Sequence, residues 1–433
     1  MKKIICFSLF ILLLTNSFGQ DKITCRLLGK TIDRPKNETL LLSIQDSDLR
    51  VVEAIRIPVV NNSFEYELIC EEEEMYALTF EQEILDGSWT PIFFMSENGT
   101  VNFELYPKDF AFSNNVIKGT GRLNKEYSLF EENCEKLFRL KALSRQQELL
   151  PNEGLTPQAH AIYKRKSEIE KQYENDWDNE EFLQKMNDLR NDMASLNGNY
   201  YTDECISLQN ELMQSHNNRI KWQADYLIEN NSVFGLCQTF YLLKAFKSAR
   251  ERNDLSFSDK EDKLIETFNN VYKQKYPNHS ITKRISQLIS SKDIKEGNKF
   301  IDFSCVGFDG NDYTLSKEIA NKVALLDLWA SWCGPCRRKS KEMIAVYNDF
   351  KDKGFTVVGV ARERRKEDGE NAIKRDGYTW LNLLELNDKN EIWHKYGVGN
   401  SGGATFLIDT DGTILKVNPS ADEVREILNE KTK

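Results

Sequence analysis

Histidine is scarce in this sequence: only four occur in 433 residues, and none lies in a second Cys/His cluster that could complete a zinc site with a Cys-x-x-Cys pair. A surplus of positive charge is absent too. The 58 basic side chains are outnumbered by 68 acidic ones, and no Lys/Arg-rich block interrupts the net charge of −10. That balance excludes nucleic acid or an anionic membrane as the main partner. Long apolar runs are also lacking: the longest, Ile4 to Leu14, falls well short of the roughly twenty residues needed to span a bilayer. Nine cysteines are present, but their spacing shows no disulfide framework. What remains is ordinary for a soluble globular chain, 40% hydrophobic and 29% charged, and too long for one core, so two or three domains are expected.

The N-terminus carries a basic pair, Lys2-Lys3, then the short apolar run, then a small-residue stretch ending at Gly19. These are the parts of a secretory signal over residues 1–19. Cys6 lies early in the run and no cysteine immediately follows Gly19, which argues against a lipid-bearing N-terminal cysteine. The mature chain keeps Cys25, Cys70, Cys134, Cys205, Cys237, Cys305, Cys333 and Cys336. In an oxidising compartment the first six could pair, although most read as small buried hydrophobes.

Three stretches of different period follow. Over residues 20–123, short alternating runs such as Phe64 to Leu68, Tyr76 to Phe80 and Val101 to Leu105 are cut by turn signals at Asn61-Asn62 and Asn98-Gly99. This is the pattern of a β sandwich or barrel. The run Glu71 to Glu74 reads as a solvated turn. Over residues 124–295 the period is helical: Phe182, Met186, Leu189, Met193 and Leu196 form one stripe, Thr156-Pro157 and Ser258-x-x-Glu261 mark helix starts, and Val233 to Leu243 is apolar all round, as in a buried helix. The charged stretch from Lys164 to Arg190 fits either a bundle helix or a projecting arm. Over residues 296–433 strand and helix alternate, with strands expected at Val323 to Trp329, Phe355 to Val360, Thr405 to Asp409 and Thr413 to Val417, and a capping box at Ser420-x-x-Glu423.

The chemistry is concentrated where the strand Val323 to Trp329 breaks into Cys333-Gly334-Pro335-Cys336. A helix starting there puts Cys333 at its N-terminus, where unpaired N–H groups and the positive end of the dipole favour a thiolate. Cys336, one turn further in, is expected to keep its proton until it resolves a mixed disulfide, and Asp327 can accept it. The stretch Asp327-x-Trp329-x-x-Trp332-Cys333-Gly334-Pro335-Cys336 resembles the active site of thioredoxins. Over the last third of the chain, the strand order and Phe300 to Phe303 with its Asp309-Gly310 turn resemble the TlpA/ResA-type envelope branch. With Phe64 after a turn, Phe93-Phe94, and Gly119-Thr-Gly-x-x-Asn124 at its end, the region of residues 20–123 loosely resembles the small β domain of unassigned activity that precedes such domains in Gram-negative envelope proteins.

The resemblance implies a thioredoxin fold and a periplasmic or secreted thiol-disulfide oxidoreductase that needs no cofactor. Cys333 would be the nucleophile, Cys336 the resolving thiol and Asp327 the proton acceptor; Trp332, Gly334, Pro335, Gly402 and Gly403 would face the substrate. The implied partners are envelope proteins with disulfides or thiols, and a membrane reductant donor. Several positions depart from the family. Lys341 replaces a helix-kinking proline, and Ala330 stands where peroxide-reducing relatives carry threonine. The cis-proline that aligns substrate falls on Gly403, within a join one residue longer, Gly399 to Ala404. Glycines there could take positive φ or let another backbone approach closely. A binding module with weak exchange, or an envelope antioxidant protein, are the alternatives. ResA-type envelope relatives often carry a functional glutamate near Glu363 and Glu367, but these two read as part of a charged loop from Arg362 to Glu370.

Overall fold

The computed structural model describes residues 22–34, 38–109, 112–113, 115–174, 176 and 179–431, so the expected signal over residues 1–19 lies outside the described residues. The first strands are β1 (Ile23–Thr31), β2 (Thr39–Ile44), β3 (Ile55–Pro58), β4 (Ser63–Cys70) and β5 (Met75–Phe80). After a short helix α1 (Glu81–Leu85) come β6 (Ile92–Met95), β7 (Gly99–Leu105), the two-residue strands β8 (Lys108–Asp109) and β9 (Phe112–Ser113), and β10 (Val116–Gly119). Eight of them build two four-stranded sheets, ordered β10-β7-β1-β4 and β3-β2-β5-β6, and β8 and β9 pair with each other. Alternation along β1, buried at Ile23, Cys25 and Leu27, turns one face inward against Leu40, Leu78 and Phe94 of the other sheet. Asn61 and Asn62 both take positive φ in the turn between β3 and β4, as their short polar side chains allow.

Helices follow. They are α2 (Arg122–Phe138), α3 (Leu140–Glu148), α4 (Pro157–Gln172), α5 (Glu180–Ser195), α6 (Asp203–Glu229), α7 (Val233–Glu251), α8 (Ser258–Thr267), α9 (Lys273–Lys275) and α10 (Ser280–Ser290). The apolar first part of α7, Val233 to Leu243, is the core of this bundle, buried at Phe234, Leu236, Cys237, Phe240 and Leu243. Thr156 caps α4 by accepting from the Ala159 N–H. Ser258 does not cap α8: it is already helical, and the expected partner Glu261 is buried between Arg250 and Lys292 instead. The charged stretch forms the α4–α5 pair, whose facing side chains include Phe182 and Leu189 within and the Arg165–Asp192 ion pair outside. The turn at Glu71 to Glu74 is not wholly solvated: Glu74 is buried and accepts from Ser280, while His279 meets the Glu73 carbonyl, joining sandwich to bundle.

The remaining elements are a hairpin of β11 (Ser304–Val306) and β12 (Asp312–Thr314), then α11 (Leu315–Glu318), β13 (Val323–Trp329), α12 (Gly334–Phe350), β14 (Phe355–Glu363), α13 (Lys366–Asp376), β15 (Leu381–Leu386), α14 (Ile392–Lys395), β16 (Ala404–Ile408), β17 (Ile414–Val417) and α15 (Ala421–Lys431). The sheet order is β15-β14-β13-β16-β17, with β13, β14 and β15 parallel and β16 and β17 antiparallel. This is the expected thioredoxin-like arrangement. Central β13 is buried at every residue, as a strand covered on both faces must be. The Ser420–Glu423 capping box starts α15, each side chain bonding the other's backbone N–H. Phe300 to Phe303 is not a strand, although the Phe300 N–H bonds the Gly412 carbonyl, and β15 is not among the expected strands. Besides Cys333 and Cys336, the described cysteines are free, and all but Cys70 are buried.

Candidate active site

Strand β13 delivers the chain from the core to the C-terminal end of the central strand, and the break after Trp329 starts α12 at a fixed place. Cys333 is its N-cap: the Cys333 sulfur accepts from the Cys336 N–H at 3.3 Å, and Pro335 occupies the first turn, where its missing N–H costs nothing. Cys333 and Cys336 are disulfide-bonded and largely buried. No kink interrupts α12 at Lys341.

Asp327 lies beneath this turn, on β13, and is buried. Its carboxylate accepts from Ser340 Oγ at 2.6 Å, and the same hydroxyl reaches the Cys336 carbonyl at 3.1 Å, so one side chain links acid and helix. Burial pushes the Asp327 carboxyl from its ordinary 3.8 up to about 7, against the opposing hydrogen bond from Ser340. A group at that value exchanges a proton readily near neutral pH.

Gly403 sits on the other side of the pair. Its N–H donates to Cys336 Sγ at 3.1 Å, and a Cβ here would stand 1.9 Å from the Leu328 carbonyl oxygen. The expected close backbone approach is therefore present, but the expected positive φ is not at Gly402 or Gly403. It occurs at Gly397 and Gly399. No peptide bond among the described residues is cis. Gly402 and Gly334 face open space, while Trp332 is half-buried against Trp393.

The expected charged loop from Arg362 to Glu370 is corrected at its first two residues. β14 runs past the expected end at Val360 to Glu363, and Arg362 and Glu363 are buried. Glu363 accepts from the Ser331 N–H at 2.5 Å and from Ser331 Oγ at 2.7 Å, fixing the turn that leads into Cys333. Burial raises the Glu363 carboxyl, opposed by those two bonds. Arg362 points the opposite way along the pleat. It binds Asp388 through Nε and Nη2, the Gly399 carbonyl at 3.0 Å, Asn400 Oδ1 at 3.0 Å, and Asp48 of the sandwich at 3.2 Å. The Val357-to-Ala361 run extends the strand pattern without a break, and that continuity, beside the glutamate that ResA-type relatives often carry near this point, was the signal for a buried Glu363. Glu367 lies exposed on α13 and takes no part.

Asp48 brings the sandwich to the site. The loop between β2 and β3 places its carboxylate on Arg50 N at 3.0 Å, Nε at 2.8 Å and Nη2 at 2.7 Å. The Arg50 guanidinium then lies 4.0 Å from the centre of the Trp332 ring and donates to the Asn400 carbonyl at 2.8 Å. Asn400 Nδ2 returns a bond to the Asp46 carbonyl at 2.7 Å. Burial works to raise the Asp48 carboxyl, but the Arg50 bonds and the Arg362 charge hold it below its ordinary range.

Residues 297–417 match the family model described as AhpC/TSA family. The chain is 28% identical over 116 residues to the thiol-disulfide oxidoreductase ResA of Geobacillus thermodenitrificans, covering 27% of this chain and 64% of that protein. It is 28% identical over 124 residues to ResA of Bacillus subtilis, covering 29% of this chain and 67% of the relative. The chain thus spans less than two thirds of the first of these relatives. Among solved structures, the thioredoxin domain of a thiol-disulfide oxidoreductase from Bacteroides vulgatus is 27% identical with a TM-score of 0.30, covering 32% of this chain and 99% of that one.

Proposed function

We propose that this chain, whose C-terminal part is thioredoxin-like and similar to ResA, is a periplasmic or secreted thiol-disulfide oxidoreductase acting on the disulfides or dithiols of other proteins. The activity is assigned to residues 296–433, with residues 20–123 and 124–295 as separate domains. The observation that carries the reading is the Cys333–Cys336 pair at the start of α12 above a buried carboxyl tuned to about 7. In the reducing direction the Cys333 thiolate attacks one sulfur of a substrate disulfide, forming a Cys333–substrate bond and releasing the other substrate sulfur as a thiolate. Cys336 then loses its proton to Asp327 and attacks Cys333 Sγ. The second substrate thiolate leaves, two electrons have passed to the substrate, and the Cys333–Cys336 disulfide remains for an external dithiol to reduce. Gly403, whose N–H bonds Cys336 Sγ, and Ser340, which bonds Asp327, are positioning residues in this scheme.

The test is covalent trapping. Cys333→Ser is expected to abolish reduction of insulin and of small aromatic disulfides. Cys336→Ser is expected to accumulate a mixed disulfide that a small thiol releases. Turnover persisting in Cys333→Ser would overturn the reading and leave the domain as a binding module.

A further inference from the structure

Beside Trp332 an open groove of about 590 Å³ runs between the sandwich and the thioredoxin-like domain. Its floor is Ser331 and Trp332, next in sequence to Cys333; one wall is Leu49 and Arg50, and the other carries Arg364, Arg365 and Arg375. The chain is acidic overall, yet four arginines line this groove against two carboxylates, Glu363 and Asp368, and Glu363 is taken up by Ser331. Arg365 is matched by Asp368 at 2.8 Å, and Arg375 approaches Asp376 at 3.7 Å, a carboxylate already held by Arg337. Arg364 is exposed and forms no ion pair among the described residues. Arg50 is half-exposed. Its Nε and Nη2 are occupied by Asp48 and the Asn400 carbonyl, which leaves the two N–H groups of Nη1 for a ligand.

We propose that this groove binds an extended segment of the substrate protein carrying one or more carboxylates beside its reactive cysteine, and that Arg50 makes the sandwich part of substrate recognition. The inference rests on the function proposed above. Three points lead to it. The groove opens on the residue before Cys333, so whatever lies in it is joined to the reacting sulfur. Arg50 is held by Asp48 and stacked on Trp332, so its donors are fixed before a partner arrives and little side-chain entropy is lost on binding. Guanidinium groups on both walls match the planar geometry of carboxylates. The same net charge that repels polyanions at long range leaves a short basic slot able to select single acidic side chains.

The experiment uses the full-length reduced protein and paired peptide disulfides, identical except for Asp/Glu or Asn/Gln within four residues of each cysteine. The expected result is a preference of about tenfold in rate constant for the acidic member at low salt, the size of one charge-assisted hydrogen bond, shrinking as salt is added. Arg50→Gln and, at a site where nothing else depends on the side chain, Arg364→Gln should each reduce the ratio of the two rates. Arg50→Lys should restore part of it, and Arg50→Glu should reverse it. No preference in the wild-type protein, or a preference unchanged in both Gln variants, would overturn the inference. A protein that reacts with neither peptide would instead overturn the oxidoreductase reading beneath it.

Discussion

Asp327 has two consequences that one substitution separates. Its carboxyl stays protonated in the folded protein until about pH 7 but ionises near 3.8 when exposed. Between those values the folded state holds the extra proton, so this group makes stability fall as pH rises, and above pH 7 its full cost, on the order of 4 kcal/mol, is present. Asp327→Asn keeps an acceptor for Ser340 and removes the titration. Its stability, measured by urea unfolding, should match wild type near pH 4 and exceed it at pH 8. Its resolution step, followed by decay of the mixed disulfide, should slow more than the attack by Cys333. Both cysteines and Asp327 were legible in sequence because one strand and one turn place them. Glu363 was not, because its partner Ser331 lies 32 residues away and its neighbours Arg362, Arg364 and Arg365 give the run the look of a solvated loop.

The geometry of single elements carries the next difference. The run from Gly399 to Ala404 contains three glycines and lacks the expected proline, and its glycines were expected to take positive φ or to let another backbone approach closely. In the fold only Gly399 takes the positive φ, held there by the Arg362 bond to its carbonyl, while antiparallel pairing of Leu328 with Ala404 presses Gly403 onto β13. Gly403→Ala should therefore destabilise the protein by about 1–3 kcal/mol, the cost of overpacking, seen as a lower urea midpoint with an unchanged slope. Gly402→Ala, with open space around it, should change the midpoint little. Alternation and capping signals located most strands and α15 because those signals are local. They did not locate β15, whose place at the sheet edge depends on pairing with β14. Nor did they show that Ser258 lies inside α8, since Glu261 is drawn away from the helix start by Arg250 and Lys292.

For the whole molecule, the decisive contact joins residues 314 positions apart, Asp48 and Arg362, which no periodicity could reveal. A buried guanidinium shared by two carboxylates is costly to break, because whichever partner remains is left without its counter-charge. Arg362→Met should lower stability by about 3 kcal/mol, less than the upper range because Asp48 keeps Arg50. Hydrogen exchange should show the loop around Asp48 and the loop from Gly399 to Ser401 losing protection together. Loss confined to one side would show that Arg362 does not couple them.

The shared arginine also limits how such proteins can be recombined. A chimera that keeps this sandwich and takes its thioredoxin-like domain from a relative with an aliphatic residue at the Arg362 position would leave the Asp48 carboxylate buried with half its positive neighbours, and the Arg50 side chain resting on a foreign tryptophan or none. Asp48, Arg50, Arg362 and Asn400 therefore have to be exchanged as one set, so a seam drawn through the linker near residue 296 would separate residues that inheritance must keep together.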